Sequence, residues 1–240
     1  MTLEEKITTR FHKALTKYNL IEDGDHLLIG LSGGKDSLCL LELLARRQRI
    51  LKPKFTLNAI HICMRNIDYE TDTQYLEDFV GQWGIKLHVR ITSFDASTDK
   101  RKSPCFLCSW NRRKQMFELA QQLGCNKIAL GHHMDDIIHT TLMNEIFQGR
   151  FATMPVSLQL AKMPITIIRP LCLEHEADIQ AYADLHHYKK QMRLCPYDNA
   201  TRRNTIKNLY QEIECINPEA RYAIWNALER DNKLIKTEKP

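Results

Sequence analysis

A doubly wound α/β fold built on a mainly parallel five-stranded sheet is the architecture this sequence predicts, and three features predict it. Short apolar runs alternate with segments of helical period, which is the pattern of βαβ units. The run His26-Leu27-Leu28-Ile29-Gly30-Leu31 breaks into Ser32-Gly33-Gly34-Lys35-Asp36-Ser37 before a helix begins. A later run ends the same way, in Gly131-His132-His133-Met134-Asp135-Asp136.

The elements follow in order. Leu3, Ile7, Phe11, Ala14, Leu15 and Tyr18 recur at helical spacing, so residues 2–18 form an amphipathic helix ahead of the sheet. The first strand, residues 26–31, is apolar on both faces, as in a buried parallel sheet. Asp36 and Ser37 open a helix carried by Leu38, Leu41, Leu44 and Ala45. Strands are expected at 55–64, 86–92, 127–130 and 164–168, and helices at 72–84, 110–124, 134–147 and 174–186. Past residue 187 a basic linker with Cys195-Pro196 leads to helices at 200–214 and 217–231. The expected division is an N-terminal helix (1–24), a main α/β domain (25–187) and a small C-terminal helical appendage (188–240) whose last residues, 233–240, fray.

Composition narrows the class. Across 240 residues, 43% apolar and 26% charged content suit one globular domain with a sizeable core. No run is long enough to cross a membrane, and residues 1–6 lack the form of a signal peptide, so a cytoplasmic location is expected. The net charge of +5 permits a polyanionic partner. Its distribution is more telling, with Arg101-Lys102, Arg112-Arg113-Lys114, Lys189-Lys190 and Arg202-Arg203 as small basic clusters.

Eight cysteines in such a compartment are not expected to form disulfides. Cys39, Cys63, Cys125, Cys172 and Cys215 stand singly and read as small buried hydrophobes. Cys105 and Cys108 form a C-x-x-C ahead of a helix, and by itself this pair suits a redox dithiol, half a zinc site or part of an iron–sulfur site. No second C-x-x-C completes a zinc set.

The glycine turn is neither a Walker A motif nor a dinucleotide fingerprint. Glycines at a strand end, with the unpaired N–H groups of a helix start beyond them, make a seat for an anion, phosphate above all. Asp135 and Asp136 open a helix at the carboxyl end of a strand, where paired carboxylates could hold Mg²⁺ over the phosphates.

Ser32 to Ser37 resembles the PP-loop of the N-type ATP pyrophosphatases. With Cys105-x-x-Cys108, Leu130-Gly131-His132-His133-x-Asp135-Asp136, Ile168-Arg169-Pro170-Leu171 and the late Cys195 in this order, residues 25–215 resemble the tRNA-cytidine(32) 2-sulfurtransferases. That resemblance implies an adenine nucleotide alpha hydrolase-like fold and an enzyme that adenylates the C2 carbonyl of an anticodon-loop cytidine, then exchanges oxygen for sulfur. It implies ATP bound by Ser32, Gly33, Gly34, Lys35, Asp36, Ser37, Ile60, His61, Gly131 and Asp136, with Mg²⁺ near Asp36 and Asp136. It implies a [4Fe–4S] cluster on Cys105, Cys108 and Cys195, whose fourth iron has no protein ligand and is open to sulfide.

Asp36, Asp136 and Arg112 are the implied catalytic residues, and Arg112, Arg113, Lys114, Arg202 and Arg203 the candidate tRNA contacts. A sulfur donor such as a cysteine desulfurase and a homodimer complete the implied partners. Related thiouridine enzymes carry a catalytic lysine where Arg112 stands, which favours the thiocytidine branch because a guanidinium stays charged. Two alternatives stand beside this reading. One is a PP-loop sulfurtransferase acting on another tRNA base or a small molecule through a cysteine persulfide; the other is a non-enzymatic ATP- or RNA-binding module with structural zinc.

Overall fold

The computed structural model describes residues 1–65, 71–95, 103–190 and 202–237, with the side chain of Arg202 outside that set. Seven strands form one sheet: β1 (His26–Gly30), β2 (Thr56–Met64), β3 (Lys86–Thr92), β4 (Lys127–Ala129), β5 (Ser157–Gln159), β6 (Thr166–Ile168) and β7 (Ile235–Thr237). Their spatial order is β3-β2-β1-β4-β6-β5-β7. The five predicted strands make the parallel part, with Leu27 beside Leu57 and Lys127, and Ile128 beside Ile167.

Two strands are additions to the predicted five. β5 runs antiparallel to β6, and β7 pairs parallel to β5 at the sheet's edge. Each has three residues, and all three of β7 are exposed, so neither offers the alternation that marks a half-buried strand. The segment expected to fray therefore docks as far as Thr237, anchored by the buried Leu234.

Eight helices surround the sheet: α1 (Leu3–Lys17), α2 (Lys35–Gln48), α3 (Thr73–Gly81), α4 (Pro104–Gln122), α5 (Met134–Gln148), α6 (Glu176–Leu185), α7 (Arg202–Ile216) and α8 (Ala220–Arg230). Alternation along β1 divides the core. Leu27 and Ile29 pack with α1, α2, α3, α5 and α6, while Leu28 packs with Ile60, Ile62, Ile128 and the α4 residues Leu119 and Ala120. Helices on both faces and no polar face on β1 are the two halves of one statement.

α4 starts six residues earlier than the periodicity of residues 110–124 suggested. Ser103 caps it by accepting the Phe106 N–H at 3.3 Å, and Pro104 takes the first turn, where a missing N–H costs nothing. The C-x-x-C thus lies within a helix rather than before one. Ser-Pro is the available signal, but the first half of the helix, whose apolar residues form no buried face, hides it.

α2 is buried along nearly its whole length, and even Glu42 is inside. Its carboxylate accepts hydrogen bonds from Tyr182 Oη at 3.0 Å, Tyr188 Oη at 2.6 Å and Arg46 at 2.6 Å, which satisfies the charge that burial would otherwise penalise. α7 and α8 pack on α5, and Tyr210, Trp225 and Leu228 join the same core as β1. Trp225 Nε1–H donates to Tyr18 Oη at 3.2 Å, and Tyr18 in turn donates to Glu229, tying α8 to the end of α1.

Removing the buried Trp225 leaves a large cavity between α8 and α1. Trp225→Ala is expected to lower unfolding stability by about 3–5 kcal/mol, measured by chemical denaturation; a loss below about 1 kcal/mol would show that α8 is not part of the common core.

Candidate active site

The chain leaves β1 into a turn fixed from both sides. Leu31 N–H donates to the Ile60 carbonyl at 2.9 Å, and His61 Nδ1 lies 2.8 Å from the Leu31 carbonyl. Gly33 adopts φ +83°, a left-handed conformation that a side chain disfavours. Ser37 Oγ donates to the Gly34 carbonyl at 2.9 Å and accepts from Ser32 N–H and Ser32 Oγ, both at 3.1 Å. Two serines thus hold the loop's curvature: Ser32 Oγ also accepts the Gly34 N–H at 3.3 Å, and α2 begins directly after this turn.

β1 leads on to β2 in one direction along the strand order and β4 leads on to β5 and β6 in the other, so the crevice at their carboxyl ends is a switch point. Gly131 makes the crevice close-packed. A Cβ there would stand 2.9 Å from the Asp36 carbonyl carbon and oxygen and 3.1 Å from Ser37 N, so only glycine lets the two loops touch.

Above this contact lies a cleft of about 310 Å³ lined by Ser32, Asp36, Ser37, Ile60, Ile62, Arg112, Met116, Leu130, Gly131, His132, Asp136 and Arg203. Its floor is loop backbone and carboxylate. One wall is apolar and the other is basic.

His133 stands between the acids. Its Nε2 is 3.5 Å from Asp136 and 3.9 Å from Asp36, and its Nδ1 is 3.5 Å from Asp135. Burial works against a charge on this ring, but the hydrogen bond to Asp135 and the carboxylates of Asp136 and Asp36 outweigh it and raise its pKa. Asp135 is turned away from the cleft: it accepts the Glu176 N–H at 2.7 Å and pairs with Arg221 at 2.9 Å. Against the effect of burial, His133, that N–H and Arg221 hold its carboxyl well below the usual carboxylate range.

His132 is the opposite case. Arg169 Nε–H donates to His132 Nδ1 at 3.2 Å while the other end of the guanidinium donates to the Pro155 carbonyl, so the imidazole must be neutral. Burial first, and the Arg169 charge second, push its pKa down to about 4. Two adjacent histidines are therefore shifted in opposite directions, His132 toward the neutral form and His133 toward the protonated one.

The thiols sit beyond the basic wall. Cys105, Cys108, Arg112 and Met116 recur at helical spacing on α4, so the two cysteines share the face that lines the cleft further along. Cys105 is exposed, and Cys108 is half-buried against Met64 and Phe94 at the ends of β2 and β3. Two soft donors one turn apart, one backed by apolar side chains, fit a metal–sulfur centre in the chemistry of the donor set. Among the described residues no third ligand joins them.

Comparison with known proteins bears on the same residues. A PP-loop domain family model matches residues 3–213. The tRNA-cytidine(32) 2-sulfurtransferase of Pseudomonas syringae pv. syringae (strain B728a) is 32% identical over 233 residues, covering 95% of this chain and 84% of the relative. That of Citrifermentans bemidjiense is 33% identical over 229 residues, covering 93% and 89%. The chain belongs to the tRNA-cytidine(32) 2-sulfurtransferase family of PP-loop enzymes.

Fold comparison agrees with that family. The U34-tRNA thiolase NcsA from Methanococcus maripaludis, solved with its [4Fe–4S] cluster, superposes with a TM-score of 0.79 over 98% of this chain and 80% of its own, at 24% identity. Among the described residues no helix is long and apolar enough to cross a membrane.

Within this PP-loop frame, the cleft gathers Ser32, Asp36, Ser37, Ile60, Gly131, Asp136, Arg112 and Arg203 of the predicted set. Gly33 and Gly34 form its turn. Lys35 lies over the loop, 3.0 Å from Asp36 and 3.7 Å from Glu176. The side chain of His61 braces Leu31 instead of lining the cleft, and Ile62 takes the lining position. The paired-carboxylate reading is corrected: Asp136 reaches the cleft, while Asp135 serves the scaffold.

Arg113 and Lys114 are exposed on the outer side of α4, with Lys114 3.8 Å from Glu118. Cys195, Arg101, Lys102 and the side chain of Arg202 lie outside the described residues. His132, His133 and Arg169 were quoted in the motifs but given no role. Their signal was adjacency to Asp136 and to Ile168-Arg169-Pro170, and charge states set by partners far apart in sequence were not readable from it.

The unfolded chain takes up a proton at His132 near its ordinary pKa of about 6.5, and the folded chain only near 4. This contribution to stability is therefore complete above about pH 6.5 and is lost as the pH falls toward 4. His132→Asn is expected to flatten the decline in unfolding free energy across that window, measured by denaturation at a series of pH values; an unchanged slope would contradict a neutral buried His132.

Proposed function

We propose that this protein is an ATP-dependent tRNA thiolase acting on the C2 position of cytidine 32 in the anticodon loop. The observation that carries the reading is a single cleft in which the PP-loop residues Ser32, Asp36 and Ser37 face Asp136 across the switch point and Arg112 of the C-x-x-C helix along its wall. Arg112 lines this cleft from the helix that carries the two thiols.

ATP would seat its phosphates against the loop N–H groups and the start of α2, with adenine along Ile60 and Ile62. Asp36 and Asp136 supply the hard oxygen donors that Mg²⁺ takes, and Lys35 adds positive charge beside the phosphates, with His133 next to both carboxylates. The cytosine O2 attacks the α-phosphorus, forming a P–O bond as the bond to pyrophosphate breaks. A carbonyl oxygen with no leaving tendency thus becomes part of AMP, a good leaving group. A sulfur nucleophile then bonds to C2 as the C2–O bond to AMP breaks.

Cys105 and Cys108 would hold two irons of a [4Fe–4S] cluster, and Cys195 a third. A cluster held by three thiolates supplies one iron without a protein ligand, a place to keep sulfide near the cleft. Arg112 remains charged and serves to hold anionic phosphate or RNA backbone at the cleft wall, not to move protons. Arg203 lines the same cleft, and Arg113, Lys114 and Arg202 are the further candidate tRNA contacts. A donor such as a cysteine desulfurase would restore the sulfur. A homodimer and a cytoplasmic location complete the proposal.

Asp36→Ala is expected to lower ATP-dependent thiolation of tRNA by at least a hundredfold with iron content unchanged, measured by nucleoside mass analysis and metal assay; loss of iron in that variant would overturn the role given to the loop. Cys105→Ala and Cys108→Ala are each expected to lose iron and thiolation together, and Cys195→Ala likewise. If Cys215→Ala lost the iron and Cys195→Ala kept it, the third ligand would be Cys215. Iron absent from native, anaerobically prepared protein would favour persulfide or zinc chemistry instead.

A further inference from the structure

α4 has nineteen residues and two unlike halves. Its second half is anchored by the buried Leu119 and Ala120 together with Met116 and Phe117, whereas no residue from Pro104 to Gln115 is buried. The first half nevertheless carries two of the largest apolar side chains on the surface. Phe106 is 46% exposed and Trp110 52% exposed.

These rings stand four residues apart, so they form one stripe on the helix surface, about a quarter-turn or more around the axis from the cysteine stripe. Arg113 lies one turn further along the same stripe, and Lys114 lies one turn beyond Trp110 with its Nζ 5.9 Å from the indole centroid. α4 carries Arg112, Arg113 and Lys114 against a single carboxylate, Glu118. Exposed rings framed by cations fit a polyanion that presents flat, unstacked faces. Single-stranded RNA is that polymer, because every base has a π-face and every linkage a phosphate.

We infer that Phe106 and Trp110 form a stacking platform for bases of the RNA loop that flank the nucleotide entering the cleft. The inference deepens the tRNA-thiolase reading and rests on it. Taking one base out of a loop removes the stacking partner of its neighbours. An aromatic stripe on the outer side of the helix replaces that partner, while Arg113 and Lys114 hold the phosphates between the stacked bases. Arg112, two residues from Trp110 and on the other side of the same helix, is at the cleft itself, so the RNA chain passes over α4 from the cleft to the rings.

The test uses full-length, iron-loaded protein and a synthetic anticodon stem-loop RNA with cytidine at position 32 and 2-aminopurine at the next loop position. A fully paired RNA hairpin of equal length serves as the charge control. Native protein is expected to bind the stem-loop and quench the 2-aminopurine. Trp110→Ala and Phe106→Ala should each raise the stem-loop Kd roughly tenfold and relieve the quench, with little change for the paired hairpin, while Trp110→Phe stays within about threefold of native. Native-like binding and quenching by both alanine variants would overturn the platform and leave the thiolase reading standing. So would an equal loss for the paired hairpin, or a Trp110→Phe defect as large as that of Trp110→Ala. Native protein that fails to bind the stem-loop at all would overturn both.

Discussion

Backbone touching backbone at the sheet's switch point is the contact on which the rest depends. The absent side chain of Gly131 lets the loop after β4 rest on the carbonyl of Asp36 and the amide of Ser37. The same closeness brings Asp136 and His133 to the start of α2. It also puts the loop backbone and the carboxylates of Asp36 and Asp136 around one crevice.

The crevice is poised electrically by partners that are not themselves in it. Arg221, from the C-terminal α8, pairs with Asp135, which supports His133, which meets Asp36 and Asp136. On the other side Arg169 holds His132 neutral. One imidazole is biased toward its charged form and its neighbour away from it, and the difference comes from what each ring nitrogen meets. The C-terminal helices are in this sense part of the site, since their packing on α5 supplies Arg221.

α4 links the two halves of the chemistry. Its capped first turn carries the thiols, its middle carries Arg112 into the cleft, and its last turns anchor the whole against the sheet. A rigid helix fixes the offset between thiols and cleft wall: seven residues from Cys105 to Arg112 span about 10 Å along the axis. The thiols and the cleft-lining Arg112 are thereby held at a set spacing without a flexible loop between them.

The sequence by itself determined the parallel core of the fold and the two motifs that stand at its switch point. Apolar runs, helical periods and glycine-rich breaks are local signals, and Ser32 to Ser37 and Gly131 to Asp136 are written in consecutive residues. Only the tertiary structure decided the rest. β5 and β7 exist because an edge could be paired, and their three-residue stretches, with no buried residue in either, carry no period of their own. Asp135 and Asp136 are neighbours of one residue type, yet one serves the scaffold and the other faces the cleft, because helical geometry turns consecutive side chains about 100° apart. The charge states of His132 and His133 belong to Arg169, Asp36 and the neighbouring acids, and the burial of Glu42 to Tyr182 and Tyr188. Long-range partners set electrostatics and burial, and a chain read residue by residue holds no record of which partners folding will bring together.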